Sequence, residues 1–369
     1  MAYDASQLLD LVAETLNDLP KQVFEVLWTD QDYEACRIYQ QDRMVIDGGK
    51  QIERHVMLDH NGMARYRRYY DTDDPSVGDH MDAITVPWTQ LTTNYSWDEL
   101  EIKHQMNSAK GFIDLMKTKR IAGLWALADL IEDRFWKTPN SSTDKLYPYG
   151  VPYYLNMINA DEATNTEGFY GGTIRYQNAS TGTACAGIDT ASVEKWKNYA
   201  AVYTNIDNTL MKQLRVAFMK TRFKAPLFIN DPSDVRGMQK RMYADSDTIA
   251  ELMDFADAKD DNHSGKDVLG RMIVNDGATC LINRLPLVWV PQLEGDTDPE
   301  TGDTTSPIYC VDFKYFRPVI HDGYWMRETK PMTDKGQHTV YTVFLDGAHQ
   351  NLCTNRRRAG FVFHKALAA

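Results

Sequence analysis

Apolar residues recur at helical spacing along one long stretch of this chain, from about His104 to Trp136. At 3.6 residues per turn one face carries a continuous apolar stripe. The residues that form the stripe are Ile113, Met116, Leu124, Leu127 and Ile131. Pro139 follows and closes the pattern. About 30 helical residues would reach ~45 Å, so this predicted helix must cross a whole domain.

Three shorter stretches also predict helices. Ala5 to Leu19 places its leucines and Val12 on one face, and Pro20 ends it. Ile206 to Arg222 has an apolar residue at every fourth position and is followed by Pro226. Asp247 to Ala258 shows a similar apolar face.

Between the first helix and the long one the pattern changes to a period of two, which is typical of strands. Ile52 to Leu58 predicts a strand, and His60-Asn61-Gly62 is a hairpin-turn signal because Asn-Gly accepts positive φ. Met63 to Tyr70 is then expected as the returning strand. A polar loop covers residues 71–79, and two further extended runs span 83–88 and 91–102.

The second half of the chain alternates again. Cys280 to Val290 and Ile308 to Val319 predict strands that flank an acidic loop, Glu294 to Asp303. Thr339 to Leu345 and Ala359 to Phe363 predict the last strands, the latter behind an arginine triplet at 356–358. The sequence shows no repeat and no linker that would divide the chain into independent domains.

Charge and cysteine usage narrow the class of protein. The chain carries 52 acidic and 40 basic residues, a net charge of −12, whereas proteins that bind nucleic acid by neutralising phosphates are usually basic. Five scattered cysteines without a C-x-x-C pair fit a reducing compartment. The N-terminus lacks a secretory pattern, and no run of ~18 apolar residues predicts a membrane span. The 20 tyrosines and 8 tryptophans suit either buried cores or protein interfaces.

A search for catalytic or metal-binding motifs finds little. The chain has no P-loop, dinucleotide fingerprint, H-E-x-x-H or G-x-S-x-G. Asp257 to Gly265 is acidic but lacks the spacing of a calcium loop. The acids of the 294–303 loop leave open a hydrolase that uses paired carboxylates. We expect no catalytic, cofactor or metal residues, and a solvated loop at both places.

Basic and acidic residues lie side by side in the extended region before the long helix. They could be a solvated face, or they could pair with another copy of the chain, and both readings stay open. The candidates for inter-subunit contact are Arg65, Arg67, Arg68, Asp71, Asp73 and Asp74.

The order of elements, together with three sequence stretches, resembles the Hong-Kong-97-type major capsid proteins of tailed bacteriophages. The stretches are WDELEIKHQM, KWKNYAAVYTNIDNTLMKQLRVAFMKTRFKAP and NLCTNRRRAGFVF. The resemblance covers nearly the whole chain and implies an α+β capsid fold. It would divide the chain into an N-terminal arm (1–49), an E-loop (50–98), a P-domain with the spine helix (99–150), an A-domain (151–320) and a closing β block (321–369).

The resemblance also implies a structural function without catalysis. Copies would form hexamers and pentamers of an icosahedral shell that encloses double-stranded DNA without reading its sequence. The E-loop would add its strands to a neighbouring subunit. A portal and a separate scaffolding protein are implied partners, with synthesis in the host bacterial cytoplasm, location in the virion capsid and no membrane association. Another virion component or an encapsulin-like shell remains the alternative.

One expectation rests on residue identity alone. Some shells of this family are cross-linked by an isopeptide bond from a lysine of the E-loop. Residues 51–102 contain no lysine, and Lys50 and Lys103 lie at the edges. We therefore expect a non-covalent shell.

Overall fold

The computed structural model describes residues 33–60, 62, 64–72, 80–100, 109–158, 166–222, 239–260, 273–275, 280–334 and 336–367. The chain forms two compact units, and each unit is built from three separate segments. The first unit comprises residues 1–48, 89–133 and 319–349, and the second comprises 49–88, 134–318 and 350–369. The helix expected at Ala5 to Leu19 lies outside the described residues.

The elements follow in chain order. The helices are α1 (Glu34–Gln41), α2 (Ala109–Phe135), α3 (Val151–Tyr154), α4 (Asn208–Lys220), α5 (Ser246–Asp260) and α6 (Arg356–Ala359). The strands are β1 (Met44–Ile46), β2 (Gln51–Met57), β3 (Met81–Pro87), β4 (Thr89–Asp98), β5 (Glu167–Gly171), β6 (Ile174–Arg175), β7 (Thr181–Gly182), β8 (Ala184–Cys185), β9 (Ile188–Asp189), β10 (Asn198–Tyr203), β11 (Lys240–Ala244), β12 (Ile273–Asn275), β13 (Cys280–Ile282), β14 (Leu285–Trp289), β15 (Ile308–Asp312), β16 (Phe316–His321), β17 (Arg327–Glu328), β18 (Met332–Asp334), β19 (Gln337–Cys353) and β20 (Gly360–Lys365).

A six-stranded sheet organises the first unit around the 17-residue strand β19. β4 pairs with β19 antiparallel over ten residue pairs, from Val340↔Asp98 to His349↔Thr89. Burial alternates along β4: Leu91, Tyr95 and Trp97 are buried on one face, whereas the residues between them on the other face are exposed. The Trp97 ring stacks on Tyr341 with a centroid distance of 6.0 Å.

The long helix α2 runs for 27 residues, about 40 Å at the standard rise, and confirms the strongest helix of the sequence. Leu127 and Ile131, one turn apart, are buried. The short helix α1 is tied to it because Ala35 N–H donates to Glu132 Oε2 at 2.8 Å.

An eight-stranded sheet organises the second unit, in the order β12-β13-β14-β11-β15-β20-β10-β5. Helices α4 and α5 cover one face, and their leucines join a single apolar cluster with Met242, Cys310 and Phe361. Aromatic rings pack on the opposite face, where Trp136 contacts Tyr243 with a centroid distance of 5.0 Å. Asp207 caps α4 because its side chain accepts from the N–H groups of the first turn.

Three strand expectations needed correction. Residues 64–70 form no strand, and β2 pairs with β3 instead, so the hairpin expected at Asn61-Gly62 was wrong. The expected strand 280–290 is a tight hairpin, since Asn283 and Arg284 both have positive φ, at 51° and 65°. The expected strand 308–319 is interrupted between β15 and β16.

Candidate inter-subunit surface

Strands β2 and β3 form a two-stranded sheet within residues 49–88, which are called the arm from here on. The two strands pair in register from Gln51↔Pro87 to Met57↔Met81. In the described part of the chain, β2 has β3 as its one strand neighbour. The E-loop expected from the resemblance extends to residue 98, but Thr89–Asp98 is β4 and pairs with β19 in the first unit.

The base of the arm packs against its own second unit. Ile52, Ile84 and Val86 are at most 3% exposed. Thr85 N–H donates to the carbonyl oxygen of Ala186 at 2.9 Å, which links β3 to the turn between β8 and β9. These contacts hold the base of the arm against the rest of the second unit.

The outer part of the arm is exposed and carries large side chains. Tyr66, Tyr69 and Tyr70 have essentially their full surface in contact with solvent. Met57 and Met81 at the end of the sheet are 66% and 57% exposed. Soluble monomers seldom expose several large aromatic and apolar side chains in one small region. Such exposed patches are typical of protein–protein contact sites.

The charged residues proposed for contact lie on this outer part, although not on a strand. A guanidinium nitrogen of Arg65 donates to the carbonyl oxygen of Thr72. Asp71 N–H donates to Arg68 O at 3.3 Å, which closes a turn around Tyr70. Arg65, Arg67, Arg68 and Asp71 are all exposed, but because residues 64–72 form no strand, the basic row expected on one strand face does not form. Asp73 and Asp74 lie outside the described residues.

An ion pair holds the end of β2 to the body. The ammonium group of Lys195 contacts the carboxylate of Asp59, and this hydrogen bond lowers the pKa of Asp59 below its usual value. Both side chains are about half exposed, so solvent screens the pair and its contribution to stability is small. A groove of about 310 Å³ lies beside the pair, lined by Met57, Lys195, Arg357 and Arg358 among others.

The proposed core positions of the spine helix fall into two groups. Leu127 and Ile131 are 2% and 4% exposed, and Leu124 is half-buried. The side chains of Ile113 and Met116 lie outside the described residues. Since Phe135 is 1% exposed as well, the buried face runs in steps of four residues toward the end of α2.

A cleft of about 320 Å³ in the second unit bears on the hydrolase alternative, because the acidic loop lines it. Asp298 is 2% exposed and lies 3.0 Å from Nε of Arg175, and Glu300 lies 3.5 Å from the same nitrogen. Burial raises the pKa of Asp296 to about 6, while its carboxylate accepts from Thr305 Oγ1 at 2.8 Å.

The cleft thus combines one carboxyl that titrates near pH 6 with carboxylates that are paired with an arginine. The ion pairs of Asp298 and Glu300 with Arg175 hold the acidic loop in place. Among the described residues, no group of three His, Cys, Asp or Glu side chains converges as a metal site needs. No described helix combines the length and the hydropathy needed to cross a membrane.

Sequence reasoning missed the contacts of the arm with the loops around residues 186 and 195. The signal was weak, since neither the Ala186-Gly187 turn nor Lys195 belongs to a motif. It also missed that the 356–358 triplet splits, with Arg356 fully buried and its neighbours partly exposed.

Comparison with solved structures places this architecture in a class: the chain has the α+β fold of phage capsid proteins. The capsid asymmetric unit of Cyanophage A-1(L) matches with a TM-score of 0.60 and 13% identity, over 95% of this chain and 97% of that one. The capsid of a native GTA particle matches over 100% of both chains, with a TM-score of 0.50 and 12% identity.

A structure from Microbacterium phage Oxtober96 also matches with a TM-score of 0.50 and 11% identity, over 96% of this chain and 97% of that one. No protein-family model and no curated sequence matches the chain. At such low identity the likeness establishes the fold, and the fold class agrees with the sequence-based expectation.

Proposed function

We propose that this chain is the major capsid protein of a tailed phage. It assembles into hexamers and pentamers of an icosahedral shell that encloses double-stranded DNA, and it performs no catalysis. The observation that carries the proposal is the fold, which matches the two capsid structures over 95% or more of this chain and of each of them.

The arm supports the same function on physical grounds. Its base is buried against its own unit, whereas the three tyrosines of its outer part are fully exposed. A two-stranded sheet with one pairing partner per strand is marginal in water, so a neighbouring subunit would stabilise it by covering the rings and extending the strands.

The acidity of the chain bears on how the shell holds DNA. A net charge of −12 does not favour a tight phosphate grip, so we propose that DNA is enclosed without sequence-specific binding. The same negative charge opposes self-association, which makes early contacts reversible and lets specific burial decide which contacts persist. A portal and a separate scaffolding protein complete the proposed set of partners, with synthesis in the bacterial cytoplasm and location in the virion.

Purified full-length protein tests the proposal by sedimentation and negative-stain electron microscopy. Closed polyhedral shells, or hexameric and pentameric rings that convert to shells when a scaffold is supplied, are the expected result. Rings with a central channel and no shells would indicate a portal-like component. A monomer at all concentrations, with or without a scaffold, would refute the assignment.

A further inference from the structure

Two helices on the same face of the eight-stranded sheet carry opposite charge on their outer surfaces. α4 contains three basic residues and no acidic one. α5 contains five acidic residues and one lysine. Both helices bury their apolar faces in one cluster with the sheet, so both outer surfaces belong to a single layer of the second unit.

The charges of α4 form a stripe on its exposed side. Lys212, Arg215 and Met219 follow at intervals of three and four residues, and Lys220 lies beside them. All four side chains are exposed, and Met219 is 67% exposed. The opposite side of the helix is buried through Leu210 and Leu214, among others.

The charges of α5 form a matching stripe. Asp247, Glu251, Asp254 and Asp257 are exposed and follow at intervals of four, three and three residues. At 1.5 Å per residue the acidic stripe is about 15 Å long and the basic stripe about 12 Å. The two stripes are therefore similar in length and opposite in sign.

The helix dipole accounts for only one end of each charged stripe. Acidic residues favour the first turn of a helix and basic residues the last turn, because of the helix dipole. Lys220 in the last turn of α4 and Asp247 in the first turn of α5 are placed favourably. Arg215 and Asp254 lie away from the ends of their helices, where the dipole has little effect. Like charges three or four residues apart oppose each other within each stripe, as Lys212 and Arg215 do in α4 and Glu251 and Asp254 in α5.

We propose that the α4 stripe of one copy of this chain docks on the α5 stripe of the next copy. The inference rests on the proposed capsid function and adds the surface that joins neighbours within a ring. Two different complementary surfaces on one molecule make a head-to-tail contact, and such contacts close into rings when the rotation between copies allows it. Met219 lies within the basic stripe and would supply an apolar centre inside a charged rim.

Charge reversal tests the contact. Variant A carries Lys212→Glu and Arg215→Glu, so both of its stripes are acidic. Variant B carries Asp247→Lys, Glu251→Lys and Asp254→Lys, so three of the four residues in its α5 stripe are basic and both of its stripes carry net positive charge. All five positions are exposed, which allows both variants to fold. A control with Lys145→Glu and Lys330→Glu, also at exposed positions, changes the net charge as much as variant A does.

We expect A alone and B alone to raise the protein concentration needed for assembly at least about tenfold at low salt, because charges matched across an interface govern encounter and exclude like-charged pairs. The control should assemble like the wild type. Mixing A with B should restore association, since acidic and basic stripes then alternate around a ring. Alternation requires an even number of copies, so the mixture should form hexamers but not pentamers.

Sedimentation of variant A, variant B and their mixture at low salt measures association between copies, whether or not shells form. Equal assembly of A, B and wild type would overturn the inference. So would rescue by a single chain carrying all five substitutions when the A and B mixture shows none, because that result places the pairing within one chain. Absence of shells for wild type alongside association of A with B would reject the capsid function and keep the contact.

Discussion

The guanidinium Nη2 of Arg356 donates to the side-chain oxygen of Asn198 at 3.0 Å, deep inside the second unit. Both residues are fully buried. The same guanidinium also donates to three carbonyl oxygens, those of Tyr154, Trp196 and Gly171. A buried cation with four neutral acceptors is therefore the point where four separate chain segments meet.

Replacing this arginine should destabilise the second unit strongly. Arg356→Lys keeps the charge but loses the planar fork that reaches four acceptors, and it leaves buried oxygens without donors. The expected loss in free energy of unfolding is on the order of 3 kcal/mol, measured by urea denaturation of the unassembled protein.

Arg357→Lys is the matched control for that measurement. Arg357 is only partly buried and donates to one carbonyl oxygen, that of Glu194. Its substitution should change the urea midpoint much less. Equal effects at 356 and 357 would contradict the role assigned to the buried fork.

The burial of Arg356 could not be predicted from the sequence. The 3.6-residue period revealed α2, and the period of two revealed β4, because both signals are local. The three arginines at 356–358 are identical in type, and the burial of Arg356 depends on acceptors about 160 to 200 residues away in sequence. No local pattern contains that information.

The strand pairing of the arm could not be predicted from local sequence either. Asn61-Gly62 favoured pairing of residues 52–58 with 63–70. The structure pairs β2 with β3 because Ile84 and Val86 bury together with Ile52, whereas residues 64–70 offer arginines and tyrosines. The pairing of β2 with β3 therefore depends on burial against residues distant in sequence. It leaves the tyrosines of residues 64–70 outside the sheet and fully exposed.

Asp298→Asn should destabilise the acidic loop, because it removes the buried charge that faces Arg175 at 3.0 Å. Breaking a buried pair by removing one partner leaves an uncompensated charge, and the expected loss is about 3 kcal/mol. Glu300→Gln is the control, since Glu300 is 40% exposed, and its effect should stay within about 0.5 kcal/mol. Equal midpoints for Asp298→Asn and wild type in urea denaturation would show that the pair contributes nothing.

Asp296 should make stability depend on pH between about 4 and 7. Burial raises its folded-state pKa to about 6, above the value of about 3.9 in an unfolded chain. The folded state therefore favours the protonated carboxyl, and its stability falls relative to a neutral side chain as pH rises through this window.

Asp296→Asn keeps an acceptor for Thr305 Oγ1 and removes the titration. The variant should gain on the wild type by on the order of 2 kcal/mol between pH 4 and pH 7, read from urea midpoints at several pH values. Asp322→Asn makes the same change at an exposed position and serves as the control. Parallel curves for wild type and Asp296→Asn would rule out the effect.

Assembled particles should contain no covalent cross-links between subunits, which denaturing electrophoresis can test. Residues 51–102 contain no lysine, and Lys50 lies at the base of the arm, so the outer part of the arm lacks the amine that an isopeptide cross-link would need. Boiled particles should run as one band near 42.2 kDa without reduction, since a shell held by burial and pairing separates in detergent. A ladder of covalent multimers would contradict this, and mass spectrometry of its cross-linked peptides would then show whether Lys50 or Lys103 supplies the amine.

The tyrosines of the arm should matter for assembly and not for folding. Tyr66, Tyr69 and Tyr70 are exposed in the single subunit, so changing all three to Ser should shift the urea midpoint little, at less than about 0.5 kcal/mol each. At an interface, buried aromatic side chains supply a large share of the binding energy. The triple variant should therefore remain soluble and folded but fail to form shells by sedimentation and electron microscopy. Leu146→Ser with Met332→Ser, at exposed apolar positions outside the arm, should assemble normally. Normal shells from the triple variant would exclude these rings from the contact between subunits.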